Sequence, residues 1–223
     1  MTLRQFLVFT AVLLPACALL ILFIDQPLAG FVHGHFTWSA PFFDMLTGRA
    51  DDVHEALMQH VLGLPVIFLA LGLAFAIGRY VLKKRAATLF LVLLLTHEFS
   101  MVLAKVLKGG VHRFRPEVQF SGGYAGTGLW AAGPHNDSFP SYHTAVYFSL
   151  FWPLALAFPR FRAPLLLLPA LIGLGRLVLG AHYLSDVGFS VWLVVALTFL
   201  FGLLEKPRPA RAALADAELP AVG

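Results

Sequence analysis

A single cysteine, Cys17, stands in 223 residues, so no intrachain disulfide can form and no cysteine-rich zinc or iron–sulfur site can be assembled. Charge is scarce as well. Asp, Glu, Lys and Arg make up 13% of the chain, too little to wet the surface of a soluble domain of this length. Neither internal repeats nor the compositions of disorder, collagen or coiled coil are present. What is abundant is apolar: 59% hydrophobic residues and a mean hydropathy of +0.79 describe a protein whose solvent is largely lipid. A formal charge of +4 would hint at nucleic acid in a soluble chain, but the 16 Lys and Arg fall mostly between apolar runs. There they set membrane topology, and no nucleic-acid partner is expected.

A helix needs roughly 20 mostly apolar residues to cross the hydrocarbon. Six runs approach that length: Phe6 to Ile24, about Ala56 to Ile77, Ala86 to Leu107, Ser141 to Phe158, about Pro164 to Leu179, and about Asp186 to Leu204. The first could be a signal peptide, since Leu14-Pro15-Ala16-Cys17 faintly resembles a lipoprotein cleavage site. Its apolar stretch continues through Ile24, however, which suits an uncleaved anchor better. The expected fold is all-α, a six-helix transmembrane bundle in residues 1–204 with an outer-face loop between helices 3 and 4. Residues 205–223 read as a flexible cytoplasmic tail.

With the N-terminus in the cytoplasm, ten of the 16 cations lie on the inner side: Arg4, Arg79, Lys83, Lys84, Arg85, Arg160, Arg162, Lys206, Arg208 and Arg211. Arg49, Lys105, Lys108, Arg113, Arg115 and Arg176 fall on the disfavoured side and need another reason to be there. Residues 25–55 read as an interfacial stretch, rich in Phe, His and Gly. Residues 109–140, punctuated by Gly109-Gly110, Pro116, Gly122-Gly123 and Pro134, read as a loop near the membrane surface.

Three clusters sit where the outer helix ends converge. Lys108, Arg115 and Pro116 follow the third run, Pro140-Ser141-Tyr142-His143 open the fourth, and Arg176, His182 and Asp186 join the fifth to the sixth. Three cations close to hydrocarbon are costly unless they bind an anion, and a phosphate monoester complements them. His182 and Asp186 are four apart, so on a helix start the carboxylate can accept one imidazole N–H and leave the other nitrogen free to attack phosphorus. His143, at a helix start, can act as an acid toward the leaving oxygen. His97 and Glu98 lie about 15 Å deeper at 1.5 Å per residue. They stay open between a functional and a structural role. His33, His35, His54, His60 and His135 repeat no metal-ligand spacing and read as interfacial or loop residues, and Asn136, Asp137 and Ser138 as loop and helix cap.

The order Lys108-x6-Arg115-Pro116, Pro140-Ser141-Tyr142-His143, Arg176-x5-His182-x3-Asp186 resembles the three-part signature of the type 2 phosphatidic acid phosphatase superfamily. Its members include integral membrane lipid phosphatases and the soluble vanadium haloperoxidases. The resemblance implies that Lys108, Arg115 and Arg176 bind the phosphate, with Ser141 and the amide of Tyr142 adding hydrogen bonds. It makes His182 the nucleophile, Asp186 its orienting partner and His143 the general acid, with no cofactor and no metal. Two positions depart from the pattern. Tyr142 replaces a usual glycine, which the backbone tolerates only away from positive φ, and Gly175 replaces a usual serine before the arginine.

The resulting expectation is dephosphorylation of a phospholipid or isoprenoid lipid phosphate or diphosphate, through a phosphohistidine, at the outer (periplasmic) face of a bacterial cytoplasmic membrane. The protein would be multi-pass with both termini cytoplasmic. A lipid phosphotransferase would use the same residues with a different acceptor. A lipid transporter or scramblase would use the cations but would not need His182 and Asp186 in that register.

Overall fold

The protein is described by a computed structural model covering residues 1–122, 124 and 126–205. The expected cytoplasmic tail lies, beyond Glu205, outside the described residues. The chain is mostly helical. Helix α1 (Leu3–Leu19) starts at a capping box in which Thr2 and Gln5 satisfy each other's backbone amides. It runs through a widened turn at Leu20–Ile24 into α2 (Asp25–Phe36), and a short 3₁₀ turn leads to α3 (Ala40–Met58). The stretch expected to lie at the interface is therefore folded into two helices, although Phe31, Trp38 and Phe42 still point outward.

The second expected run, Ala56 to Ile77, is broken. Its first residues end α3, and residues 60–65 form a two-residue antiparallel hairpin, His60–Val61 against Leu64–Pro65. Hydropathy does not register this turn, but Leu62 and Gly63 both take positive φ and Pro65 brings no N–H to a helix. The helix resumes as α4 (Val66–Ala76), and a 3₁₀ turn at Arg85–Ala87 precedes α5 (Thr88–Val111). A short α6 (Pro116–Phe120) interrupts an otherwise irregular connection to α7 (Tyr142–Ala157), followed by α8 (Arg162–Val178) and α9 (Leu184–Gly202).

Helix α7 is central, packed against α5, α8 and α9, while α1 lies on α9, α4 on α5 and α3 on α8. The apolar centre is Met101, Val146, Tyr147 and Ile172. Outward-facing Leu7, Val8 and Val12 on α1, and Leu22 and Phe23 in the widened turn after it, have nothing to bury them except lipid. Among the described residues four helical runs are long and apolar enough to cross a bilayer: Leu3–Met58, Arg85–Val111, Pro159–Val178 and Leu184–Gly202. Val66–Val81 and the 16-residue α7 fall short of the roughly 20 residues that a straight span takes.

Candidate active site

The three sequence clusters meet at one end of the bundle. Helix α5 runs one turn past the apolar stretch, which puts Lys108 in its last turn, and Arg115 caps the N-terminus of α6. Arg176 sits in the last turn of α8. Its backbone carbonyl accepts the amides of Ala181 (3.0 Å) and His182 (3.1 Å). The chain reverses here at Gly180, whose φ is +66 and where a Cβ would meet the Phe120 ring at 3.1 Å, so only glycine fits without displacement. His182 is thereby held directly beside the end of α8.

His182 is 2% exposed. Its Nδ1 lies 2.6 Å from the backbone carbonyl oxygen of Ser138, while the nearer Asp186 oxygen is 3.8 Å away. A carbonyl can only accept, so Nδ1 carries the proton and Nε2 keeps its lone pair. Burial pushes the imidazole down to about 4. The Lys108 and Arg176 charges act in the same direction, and Asp186 opposes them. The ring is thus neutral at pH 7.

Asp186 has other partners. It accepts Arg113 Nη1 at 2.6 Å, the Ser138 hydroxyl at 2.6 Å and the Tyr183 amide at 2.8 Å, the last capping α9. The carboxylate therefore acts on His182 through Ser138, whose hydroxyl it binds and whose carbonyl fixes the ring. Arg113 is fully buried, bonds Asp25 Oδ2 at 2.8 Å and Ser185 Oγ at 2.7 Å, and stacks on the Tyr183 ring at 4.2 Å. Asp25 also accepts the Ser185 amide and hydroxyl. Two carboxylates around one guanidinium leave this buried cluster with a net charge of −1.

Lys108, Arg115 and Arg176 differ in how they are engaged. Arg115 grips Asp137 through Nε and Nη2, both at 2.8 Å, and the Lys108 ammonium donates to the Asp137 carbonyl. Partial burial works against the Asp137 charge, but Arg115 and Lys108 outweigh it and hold the carboxyl below its ordinary range. The buried Nε of Arg176 has no acceptor among the described residues.

Ser141 is fully buried and is the N-cap of α7, its oxygen accepting the Thr144 hydroxyl at 2.9 Å. Ser190 ties the Ser141 carbonyl to α9 at 2.9 Å. Tyr142 is the first residue of α7 and is not among the residues at positive φ. The tyrosine is accommodated because the backbone here is already helical. Gly175 also has a local cause. A Cβ there would meet the Phe43 ring at 2.9 Å, so the close approach of α3 to α8 excludes a serine. His143, next in α7, has its Nε2 3.2 Å from Asp51 Oδ2 on α3.

His97 is fully buried, between His54 of α3 and Ser149 of α7. Ser149 Oγ donates to the Val146 carbonyl, so His97 Nδ1 donates to Ser149 at 2.8 Å and its Nε2 accepts from His54 at 3.3 Å. His135 pairs with Glu117 at 2.8 Å. Among the described residues no group of three or more His, Cys, Asp or Glu side chains is placed to hold a metal ion.

Sequence reasoning did not single out Asp25, Asp51 or Arg113, and it read Asp137 and Ser138 as loop and cap. One signal was present. Arg113 was a cation on the disfavoured side without an assigned anion, and Asp25 closes a long apolar run in a chain with only 12 acidic residues.

A family model described as the PAP2 superfamily matches residues 85–216. The chain is 33% identical over 124 residues to a lipid A 1-phosphatase of Rhizobium johnstonii, covering 52% of this chain and 51% of that protein. To a lipid A 1-phosphatase of Rhizobium etli it is 32% identical over 118 residues, covering 50% and 51%. The chain thus spans about half the length of these curated relatives. No solved structure matches it.

Proposed function

Because the chain belongs to the PAP2 superfamily, we propose that it is a membrane lipid phosphatase in which His182 takes the phosphoryl group. Lys108, Arg115 and Arg176 hold the phosphate oxygens, and the Ser141 hydroxyl and Tyr142 amide add donors. His182 Nε2 attacks phosphorus, the bond to the lipid oxygen breaks, and His143 gives that oxygen its proton. Water then attacks the phosphohistidine with His143 taking the proton, orthophosphate leaves, and His182 is restored. As Nε2 bonds to phosphorus the ring gains positive charge, and the −1 cluster of Arg113, Asp25 and Asp186 lies where it favours that charge.

The observation that carries this reading is the fixed tautomer of His182, with Nδ1–H on the Ser138 carbonyl and Nε2 left with its lone pair, in a neutral ring beside the charges of Lys108 and Arg176. The test is phosphate release by purified protein in detergent from phosphatidate, phosphatidylglycerol phosphate, undecaprenyl diphosphate and a lipid A phosphate. The names of the Rhizobium relatives put the last of these first. Turnover is expected on at least one, and release from none of them would end the proposal.

The same reading makes the chain a six-span protein of the bacterial cytoplasmic membrane. Both termini are cytoplasmic, and the site, with the α5–α7 connection over it, is at the outer face. The bias of ten cations toward the inner side supports this. In a Cys17→Ala background, Ser121→Cys is expected to react with a membrane-impermeant maleimide in intact spheroplasts, and Ala86→Cys only after lysis. Both positions are exposed. The opposite labelling pattern would put the site in the cytoplasm.

A further inference from the structure

Asp51 lies in the middle of α3, 92 residues before His143, in a stretch with no signature of its own. Two side chains of α7 take hold of it from one face. His143 Nε2 is 3.2 Å from Asp51 Oδ2, and the Tyr147 hydroxyl, one helical turn further on, donates to Oδ1 at 2.6 Å. Tyr147 is 3% exposed, so its hydroxyl is a fixed anchor, and it leaves the carboxylate little freedom to leave the imidazole. Beyond the pair opens a cavity of about 330 Å³ lined by Asp51, His54, Glu55, Met58, His143 and Val146.

We infer that Asp51 is the positioning residue of the proton donor: it holds Nε2 of His143 so that Nδ1 is presented to the oxygen of the departing lipid, with the cavity receiving the first atoms of that lipid. The inference rests on the phosphatase reading and on His143 as its acid. An imidazole in this place faces the positive charges of Lys108 and Arg176. To donate a proton it must carry one on each nitrogen beforehand, and the Asp51 carboxylate compensates the charge of that form. In the step itself the P–O electrons pass to the lipid oxygen and the Nδ1 proton follows them. A neutral ring is left, its Nε2–H still on Asp51. Asp51 touches neither phosphate nor lipid and acts through His143 alone.

A positioning role of this kind has a signature that a structural one lacks: in the transfer to His182, the step that kcat/KM reports, it matters only when the leaving oxygen needs a proton, while the later hydrolysis of the phosphohistidine is common to all esters. An alkyl phosphate such as phosphatidate expels an alkoxide and needs the acid, whereas nitrophenyl phosphate expels a stabilised phenolate and does not. Asp51→Asn is expected to lower kcat/KM on phosphatidate by about 10²-fold, the lower end of what a general acid contributes. On nitrophenyl phosphate it should stay at the wild-type level. Asp51→Glu, which restores a carboxylate, is expected to recover part of the phosphatidate activity. Equal loss on both esters, with no recovery in Asp51→Glu, would make Asp51 structural and overturn the inference, as would full activity of Asp51→Asn on phosphatidate. If Asp51→Asn fails to assemble, Tyr147→Phe frees the carboxylate while leaving it present. It should show the same selective loss at smaller size, and an unselective loss there overturns the inference equally. Where the wild type does not cleave phosphatidate, the lipid phosphate that it does cleave takes its place in the comparison, and wild-type protein that cleaves none of the four lipids would instead remove the phosphatase reading itself.

Discussion

His182→Ala is expected to lose at least about 10³-fold in kcat on whichever lipid phosphate the wild type turns over, with the fold intact. The ring contributes a nitrogen that no neighbour can replace. Ser138 offers only a carbonyl toward it, and Asp186 is already bonded to Arg113, Ser138 and the Tyr183 amide. Asp186→Asn should behave differently. The nucleophile stays, but an amide in place of the carboxylate loosens Ser138, whose carbonyl sets the tautomer, so turnover falls less than in His182→Ala. Initial rates of phosphate release, together with acid-labile ³²P retained on the protein, measure both. A folded His182→Ala variant with wild-type turnover would remove the covalent route.

The largest effect on stability is expected at Arg113. Breaking a buried ion pair by removing one partner costs roughly 3–5 kcal/mol, because the remaining charge is stranded without water. Here two carboxylates are stranded at once, Asp25 and Asp186, both with side chains of zero exposure. Arg113→Met is therefore expected to lower stability by at least that amount in a thermal unfolding series in detergent. Adding Asp25→Asn to it should return part of the loss, since one orphaned charge disappears. An Arg113→Met protein that melts with the wild type would show that water reaches the cluster and that the charge arrangement behind His182 is not dry.

Why the signature residues were readable and their supports were not follows from distance along the chain. Lys108, Arg115, His143, Arg176, His182 and Asp186 are polar groups at the ends of apolar runs, and helical spacing alone relates His182 to Asp186. The bonds that hold them have no such local trace. Arg113 reaches 88 residues back to Asp25 and 73 forward to Asp186, and His143 reaches 92 back to Asp51. A direct His182–Asp186 bond was the natural guess from a four-residue spacing. It failed to anticipate Ser138 because a backbone carbonyl is available at every position and so leaves no mark in a sequence. The ends of α5, α7, α8 and α9 were legible to within about four residues, but α2 and α3 were read as an interfacial stretch, and the hairpin at residues 60–65 was hidden inside an apolar run, where the backbone angles of Leu62 and Gly63, rather than hydropathy, decide the path.

The fork of Arg115 is already filled by the protein's own Asp137. Binding at that guanidinium is consequently an exchange of anions and not an addition of one. Any phosphate that takes the fork pays out the Asp137 contacts first, so its net affinity is a difference between two bidentate pairs of similar strength. The same difference works in reverse after turnover. A tethered carboxylate, 2.8 Å away in the ligand-free site, is at hand to reclaim the arginine, so orthophosphate freed there would compete with a neighbour that cannot diffuse away.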